Sequence, residues 1–240
     1  MRVEALIFDV DGTLAETEEV HRQAFNESFA RFGLPWIWSQ TLYSKLLDVT
    51  GGKERIRHYV AAYDPPGGAT ALDRATEIHA DKTARYTAMV EAGAAHLRPG
   101  VRRLIEEARK RGVRLAIATT TSAPNVDALL RAAFGAEADR IFEVIGAGDI
   151  VPAKKPAPDI YRYVLDELRM PSFACLALED SRNGLEAARA AGLPTLVTPS
   201  LYTAHQQFPG AMAVIPNLDT PPVTLEILSR WRAADPAWQR

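Results

Sequence analysis

Two carboxylates stand at the end of the first apolar run of the chain. Asp9 and Asp11 follow the strand-like residues 5–8, and Gly12 and Thr13 come directly after them. Residues i and i+2 of an extended segment face the same way, so both carboxylates should project beyond the carboxyl end of a strand, where open α/β sheets bind ligands. Such close anions repel each other, which favours a hard cation such as Mg2+. The pattern predicts an active site, with an apolar edge strand ending in an Asx turn as the alternative.

Two further segments bring residues that phosphoryl chemistry needs. Residues 113–118 form an apolar run that ends at Thr119, the first of a cluster of hydroxyls before a predicted helix, and helix N-termini favour phosphate. Lys155 could neutralise charge on a nucleophile and on a transferring phosphoryl group. The neighbouring Lys154 competes for this role, but Pro156 restrains the backbone of Lys155 and favours it.

A fourth segment supplies more carboxylates. Residues 174–178 form an apolar run that ends at Glu179 and Asp180. Because the carboxyl ends of parallel strands meet at one edge of a sheet, the four segments should converge on one site. Glu179 and Asp180 would then add acidic ligands to a metal held beside Asp9.

In this order, the four segments resemble the signature of the haloacid dehalogenase superfamily, and the resemblance covers essentially the whole chain. It implies a phosphoryl-transfer enzyme that uses Mg2+ as its cofactor. The implied roles are Asp9 as nucleophile, Asp11 as general acid/base, Thr119 and Lys155 as phosphoryl clamps, and Asp9, Asp11, Asp180 and Glu179 as the metal set, with Glu179 acting indirectly.

The protonation of Asp11 is an open question at this point. In the implied mechanism Asp9 attacks phosphorus, while Asp11 donates a proton to the departing sugar oxygen and later takes one from water. The reference pKa of an aspartate is ~3.9, so closure of the site would have to raise the pKa of Asp11 for it to act as an acid near neutrality. A neighbouring metal would oppose that rise.

The composition is that of an ordinary packed globular protein. Of the 240 residues, 47% are hydrophobic and 24% are charged, and the net charge of -2 gives no reason to expect nucleic acid as a partner. The single cysteine, Cys175, lies in an apolar run and should be a buried thiol. Met1 leads almost directly into the first strand, and no apolar stretch is long enough to span a bilayer. A cytoplasmic monomer with no membrane contact is therefore expected.

The order of the elements predicts a core with an insertion. Residues 16–32 have helical spacing of apolar side chains, and the chain up to residue 95 has few strand signals. From residue 96 onward helices and strands alternate, with helices near 101–111, 124–133, 158–169 and 181–191, which is typical of a parallel sheet covered on both faces. The predicted fold is a doubly wound parallel-sheet, Rossmann-like α/β core of residues 1–15 and 96–240. An α-helical cap domain of residues 16–95 is inserted after the first strand.

Substrate specificity should lie in this cap, because the core motifs offer no obvious sugar-reading surface. The segments 14–17 and 93–99, where the cap joins the core, are candidate hinges for a closure that excludes bulk water. Glu18 and His21 lie at i and i+3 of the first cap helix, so both can face the cleft. An exposed polar pair on a solvated helix face is an equally good interpretation.

A second group of cap residues predicts an anion site. Gly51 and Gly52 free backbone N–H groups to approach an anion, while Lys53 and Arg55 add positive charge at a predicted helix start. His79 and Lys82 form another i, i+3 pair, which without the catalytic motifs would be interpreted as a solvated face. These residues together predict a substrate with a phosphate at each end, one at the catalytic carboxylates and one in the cap.

The segments 15–21, 50–55, 118–122 and 177–181 closely resemble the CbbY-type phosphatases. These proteins hydrolyse xylulose 1,5-bisphosphate, an inhibitory misfire product of Rubisco, so the resemblance implies a small-molecule sugar phosphate as the partner. Two alternatives stay open: a sugar-phosphate mutase of the β-phosphoglucomutase kind, and a non-catalytic sensor, against which the intact carboxylate pair argues. The predicted substrate residues are Glu18, His21, Gly51, Gly52, Lys53, Glu54, Arg55, His79, Lys82, Thr119, Thr120, Thr121, Ser122 and Asn125.

Overall fold

A parallel β-sheet forms the centre of the fold. The computed structural model describes residues 3–234, so residues 1–2 and 235–240 of the predicted core lie outside the described part. The described strands are β1 Ala5–Phe8, β2 Arg114–Ala118, β3 Val144–Gly146, β4 Cys175–Glu179, β5 Thr195–Val197 and β6 Ala213–Val214. Their order in the sheet is β3-β2-β1-β4-β5-β6, and every neighbouring pair is parallel.

Helices cover both faces of this sheet. Within residues 3–234 they are α1 Glu18–Arg31, α2 Gln40–Leu46, α3 Gly52–Tyr63, α4 Gly68–Asp73, α5 Ala75–Glu91, α6 Val101–Lys110, α7 Ala123–Phe134, α8 Asp159–Leu168, α9 Arg182–Ala190 and α10 Leu225–Ala234. Leu6 and Phe8 enter an apolar cluster with residues of α6, α7 and α10, whereas Ala5 and Ile7 enter a cluster with residues of α8 and α9. Because alternate strand residues face opposite sides, β1 is buried on both faces, which confirms the predicted doubly wound core.

The position of β1 explains where the site forms. It lies between β2 and β4, so the chain winds in opposite directions on either side of it, and ligands bind at such a switch point in open α/β sheets. Asp9 follows β1 directly, and its N–H donates to the carbonyl of Leu178 at 3.0 Å. The strand predicted to end at residue 178 continues through Glu179, and its thiol, Cys175, is buried as expected.

Helices α1–α5 form a cap between β1 and α6, and no strand interrupts them in this described stretch. The cap has its own aromatic cluster, which includes Phe25, Phe29, Trp38 and Tyr43 and is separate from the two clusters that flank the sheet. The rings of Phe25 and Trp38 are 4.8 Å apart, a typical distance for a favourable aromatic pair. None of the helices that the structure describes has both the length and the apolar character needed to cross a membrane.

The two connections between cap and core lie side by side. Ala15 and Leu97 form an isolated antiparallel bridge, and the N–H of Arg98 donates to the carbonyl of Leu14 at 2.9 Å. The first helix begins at Glu18, two residues later than the predicted helix of residues 16–32, because the chain up to residue 15 is still engaged in this pairing. Backbone hydrogen bonds therefore join the two connecting segments to each other next to the core.

Candidate active site

A buried lysine joins two carboxylates at the carboxyl ends of β1 and β4. Lys155 Nζ lies 2.7 Å from Asp9 Oδ1 and 2.6 Å from Glu179 Oε1, and all three side chains are buried. Burial raises the pKa of Asp9 to about 7, with Lys155 opposing and Glu179 adding to the rise. Burial alone would lower the pKa of Lys155, but Asp9 and Glu179 outweigh it and raise that pKa. The lysine therefore stays charged between the two carboxyl groups.

Three buried carboxylates form a compact acidic cluster. Oxygens of Asp9, Glu179 and Asp180 all lie within 4.8 Å of one another. Burial, together with the charges of Asp9 and Glu179, raises the pKa of Asp180 well above its ordinary value. Lys155 contacts two of the three carboxylates, so ionising all three at once calls for a further positive charge. Hard oxygen ligands with excess negative charge are the chemistry that suits Mg2+, so these residues fit the predicted metal.

Two glycines allow the backbone to pass close to this cluster. Gly12 has a φ of +78°, which favours glycine, and a Cβ atom there would lie 2.2 Å from Asp180 Oδ2. A Cβ atom on Gly184 in α9 would lie 1.8 Å from Glu179 Oε2. A side chain at either position would displace a carboxylate, so the site favours glycine at both.

The carboxylate of Asp11 is directed towards the first cap helix and is not part of the acidic cluster. Its Oδ1 accepts a hydrogen bond from Thr17 Oγ1 at 2.5 Å and lies 2.9 Å from His21 Nε2. Asp9 and Asp11 both face the same cavity, and residues at the start of α1 supply the partners that orient Asp11. Burial would raise the pKa of Asp11, but His21, Thr17 and Lys82 outweigh burial and lower it.

A hydrogen-bonded chain continues from Asp11 into the cap. Lys82 Nζ lies 2.6 Å from His21 Nδ1, and the His21 ring stacks on Tyr86 with centroids 4.0 Å apart. An ammonium group can only donate, so we assign Nδ1 as the acceptor and Nε2 as the protonated atom that donates to Asp11. Burial and the charge of Lys82 lower the pKa of His21, which keeps the ring neutral. Burial lowers the pKa of Lys82 to about 7, with Asp11 opposing.

The hydroxyl cluster after β2 faces the same space. Thr119 is buried, and its Oγ1 accepts a hydrogen bond from the N–H of Thr121 at 3.3 Å. Asn125 in the first turns of α7 donates from Nδ2 to Thr121 Oγ1 at 3.2 Å. The Oδ1 atom of Asn125 is buried and has no hydrogen-bond partner in the described part of the protein. These groups place polar atoms around the position that a phosphoryl group on Asp9 would occupy.

A cavity of about 270 Å3 lies between the sheet edge and the cap, close to the lower end of the size range of small-molecule sites. It brings together residues that are far apart in the sequence, from the first strand to the loop after β5. Glu54 and Glu179 are not among its described lining residues. The predicted residues that line it are Asp9, Asp11, Glu18, His21, Gly51, Gly52, Lys53, Arg55, His79, Lys82, Thr119, Thr120, Thr121, Ser122, Asn125, Lys155 and Asp180.

Two buried side chains, Arg55 and Tyr43, organise the cap side of the cavity. Arg55 was predicted from the sequence, whereas Tyr43 was not. Arg55 donates from Nε to the carbonyl of Leu46 at 3.1 Å and from Nη1 to the hydroxyl of Tyr43 at 3.2 Å. That hydroxyl donates to Glu18 Oε2 at 2.9 Å. Glu54 instead lies with its carboxylate 3.1 Å from Lys154 Nζ, so its predicted role in substrate contact is not supported by its position.

Arg98 connects the catalytic loop to the loops after β5 and β6. Its buried guanidinium donates from Nη1 to the carbonyl of Gly12, and from Nη2 to the carbonyls of Pro199 at 2.8 Å and Pro216 at 3.2 Å. Its Nη1 also donates to Thr198 Oγ1 at 3.1 Å. Sequence reasoning missed this residue, although a charged side chain between Leu97 and Pro99 in a predicted hinge was a usable signal.

Replacing Arg98 with methionine is expected to lower the free energy of unfolding by about 2–4 kcal/mol, because several buried carbonyls lose a charged donor. Chemical denaturation measures the change. Arg102→Met is the control, since Arg102 is exposed and its guanidinium contacts the carbonyl of Ala133 and the ring of Phe134 at the surface. If both variants lose the same small amount of stability, the connecting role of Arg98 is refuted.

Comparison with known proteins agrees with this geometry. The family model of the haloacid dehalogenase-like hydrolases matches residues 3–192. The chain belongs to this family. Its relatives include the protein CbbY of Cereibacter sphaeroides, which is 54% identical over 209 residues, or 87% of this chain and 90% of that protein. The family and these relatives together make the chain a phosphatase.

Solved structures of the family extend the comparison. The crystal structure of CbbY from Rhodobacter sphaeroides in complex with phosphate has a TM-score of 0.88 at 50% identity and covers 95% of this chain and 99% of that chain. A variant of the same CbbY in complex with xylulose 1,5-bisphosphate also has a TM-score of 0.88 at 50% identity, with 94% and 99% covered. The whole haloacid dehalogenase fold, cap included, is therefore shared with these CbbY structures.

Proposed function

We propose that the chain is a Mg2+-dependent phosphatase that hydrolyses a sugar bisphosphate, most specifically xylulose 1,5-bisphosphate, through an aspartyl phosphate on Asp9. The observation that carries this proposal is one cavity with a nucleophile at one end and cations at the other. Asp9 and Lys155 lie at the sheet edge, while Lys53 and Arg55 lie on the cap side. The ligand of the crystallised relative, xylulose 1,5-bisphosphate, has a phosphate at each end and fits such a cavity.

In the first half of the reaction a carboxylate oxygen of Asp9 forms a bond to phosphorus and the bond to the sugar oxygen breaks. Lys155 balances charge on Asp9 and on the transferring group, because its ammonium already contacts Asp9 at 2.7 Å. Asp9 and Asp180 would hold Mg2+, and Glu179 would support it indirectly. When bound, the metal supplies charge neutralisation for the phosphoryl oxygens. Thr119 adds a hydroxyl on the same side of the cavity.

Asp11 handles protons in both halves of the reaction. As a carboxylate, held by Thr17 and His21, it can take a proton from the water that cleaves the aspartyl phosphate. In the first half it must instead give a proton to the sugar oxygen. The arriving phosphate raises the pKa of Asp11, because a nearby like charge disfavours the ionised form. The low pKa without substrate and the acid role with substrate are thus compatible.

The cap domain, residues 16–95, supplies specificity. Lys53 and Arg55 receive the phosphate that is remote from Asp9, and Lys82 adds positive charge deeper in the cavity. Contacts to a non-reacting phosphate help to close the cap and to position the reacting phosphate, so they act on the rate as well as on binding. Small monophosphates lack this second contact.

Replacing Lys53 with alanine tests the remote phosphate site. We expect kcat/KM for xylulose 1,5-bisphosphate to fall by about tenfold to a hundredfold, the effect of losing ~1.5–3 kcal/mol of charge-assisted hydrogen bonding. Small aryl monophosphates, measured in parallel, should be affected far less. Equal losses on both substrates would refute the remote-phosphate role.

Product analysis separates the phosphatase from the mutase. With xylulose 1,5-bisphosphate as substrate, free phosphate should appear in step with substrate loss, since the aspartyl phosphate is transferred to water. Interconversion of sugar phosphates with little release of free phosphate would instead identify a mutase. A parallel screen of other sugar bisphosphates tests the choice of sugar.

A further inference from the structure

Four charged side chains form a network across the mouth of the cavity. Lys53 Nζ lies 2.8 Å from Asp149 Oδ2, and Lys154 Nζ lies 3.0 Å from Asp149 Oδ1 and 3.1 Å from Glu54 Oε2. Lys53 and Glu54 belong to the first turn of α3 in the cap, whereas Asp149 and Lys154 belong to the core segment between β3 and α8. One aspartate thus bridges a lysine of the cap and a lysine of the core.

The two lysines are less exposed than the aspartate that they share. The side chain of Lys154 is 17% exposed and that of Lys53 is 26% exposed, compared with 61% for Asp149. A Cβ atom on Gly51 would lie 2.8 Å from Lys154 Nζ, so this ammonium lies against the start of α3. Both ammonium groups therefore line the anion site of the cap, while the more exposed anion between them can leave into solvent.

We propose that Asp149 is a placeholder anion that competes with the remote phosphate of the substrate. It occupies Lys53 and Lys154 when no substrate is bound and gives them up to the remote phosphate. The inference rests on the proposed function, because it takes the remote phosphate of a bisphosphate as the ligand. It adds Lys154 as a second cation for that phosphate. It also makes Asp149 a competitor of the substrate, which the aspartate does not itself bind.

The exchange requires an anion at the remote end of the ligand. A neutral hydroxyl at the remote end offers no charge to replace that of Asp149, so it cannot separate the aspartate from two ammonium groups. A phosphate dianion can, since it brings more charge and more acceptor oxygens than a carboxylate. The contacts with Lys53 and Lys154 lower the pKa of Asp149 to about 2, so it remains ionised in the range near pH ~6 where a phosphate monoester loses its second proton.

The same exchange assists product release. After hydrolysis the sugar keeps its remote phosphate, which would continue to bind both lysines. Asp149 then competes for them and lowers the affinity for the product. Without this competitor, substrate and product should both bind more tightly.

Asp149→Asn tests the inference, since asparagine keeps the shape and removes the charge. In the inactive Asp9→Asn background, calorimetric titration with xylulose 1,5-bisphosphate should show a Kd about threefold to tenfold lower than with Asp149 present, the range for losing two partly exposed competing ion pairs. With Asp9 intact, inhibition by the sugar monophosphate product should strengthen by a similar factor. Aryl monophosphates should show little change.

Glu137→Gln is the matched control. Glu137 is 62% exposed, its Oε2 lies 2.8 Å from Arg109 Nη1, and neither residue lines the cavity. It makes the same change in net charge and should leave the Kd unchanged. Weaker or equal bisphosphate binding in Asp149→Asn overturns the inference, since it makes Asp149 an orienting residue or a bystander. A protein with Asp149 that neither binds nor hydrolyses the bisphosphate overturns the proposed function itself, and the inference with it.

Discussion

Asp9→Asn is expected to reduce turnover of the sugar bisphosphate by at least about 10³-fold while the fold is kept, because an amide cannot attack phosphorus. The substitution preserves shape in a position where space is limited by Lys155 and the neighbouring carboxylates. Lys155 retains its contact with Glu179 at 2.6 Å, so the site does not lose its buried cation. Steady-state release of free phosphate gives the rate, and thermal unfolding verifies the fold.

The control for this substitution is Asp139→Asn, which makes the same chemical change at an exposed residue paired with Arg131. It should retain the full rate. Residual activity of Asp9→Asn close to that of the control would refute Asp9 as the nucleophile. A large loss of thermal stability in Asp9→Asn but not in Asp139→Asn would make the loss of activity a folding effect, which is why both measurements are needed.

The convergence of the site could be predicted from the sequence because it follows from topology. Asp9, Thr119 and Asp180 each stand at or just after the carboxyl end of an apolar run, and parallel strands bring these ends to one edge. Lys155 reaches the same edge from the segment that precedes α8. The alternation of helices and strands is a pattern carried by many residues at once. It was sufficient to predict that these residues meet at one edge of the sheet.

Side-chain orientation could not be predicted in the same way. The i, i+2 rule for Asp9 and Asp11 places both residues at one edge of the sheet, but it does not give the partners of either side chain. The partners of Asp11 come from α1, and the position of that helix depends on packing in the cap. Glu54 was similarly grouped with its neighbours Lys53 and Arg55, although a residue a hundred positions away, Lys154, binds its carboxylate.

Residues that act through others were missed altogether. Tyr161 donates to Glu179 Oε1 at 2.5 Å, and its ring lies 5.0 Å from Lys155 Nζ. Tyr43 links Arg55 to Glu18 in the cap. The usable signal for both was a tyrosine on the apolar face of a helix, because a buried hydroxyl requires a hydrogen-bond partner. Which partner it finds depends on the tertiary structure.

Removal of metal should abolish activity, and Mg2+ should restore it. Three buried carboxylates within 4.8 Å of one another are balanced by one lysine, so the site is poorly suited to bind a phosphate dianion without a further cation. In excess EDTA we expect turnover of the bisphosphate to fall to background. Full turnover under these conditions would contradict the proposal that the phosphatase depends on Mg2+.

Binding of the metal can be measured without turnover, because a ligand that binds only the folded state stabilises it. Mg2+ at a hundred times its Kd should add about 2.7 kcal/mol to the free energy of unfolding, visible as a rise in Tm after EDTA treatment and addition of Mg2+. Asp180→Asn should lose most of this rise, since it removes one of the three clustered carboxylates. Asp139→Asn should keep it, because its carboxylate lies outside the cluster. An equal rise in Tm for both variants would place the metal elsewhere, whereas a rise that depends on Asp180 assigns the metal to the carboxylates beside the nucleophile.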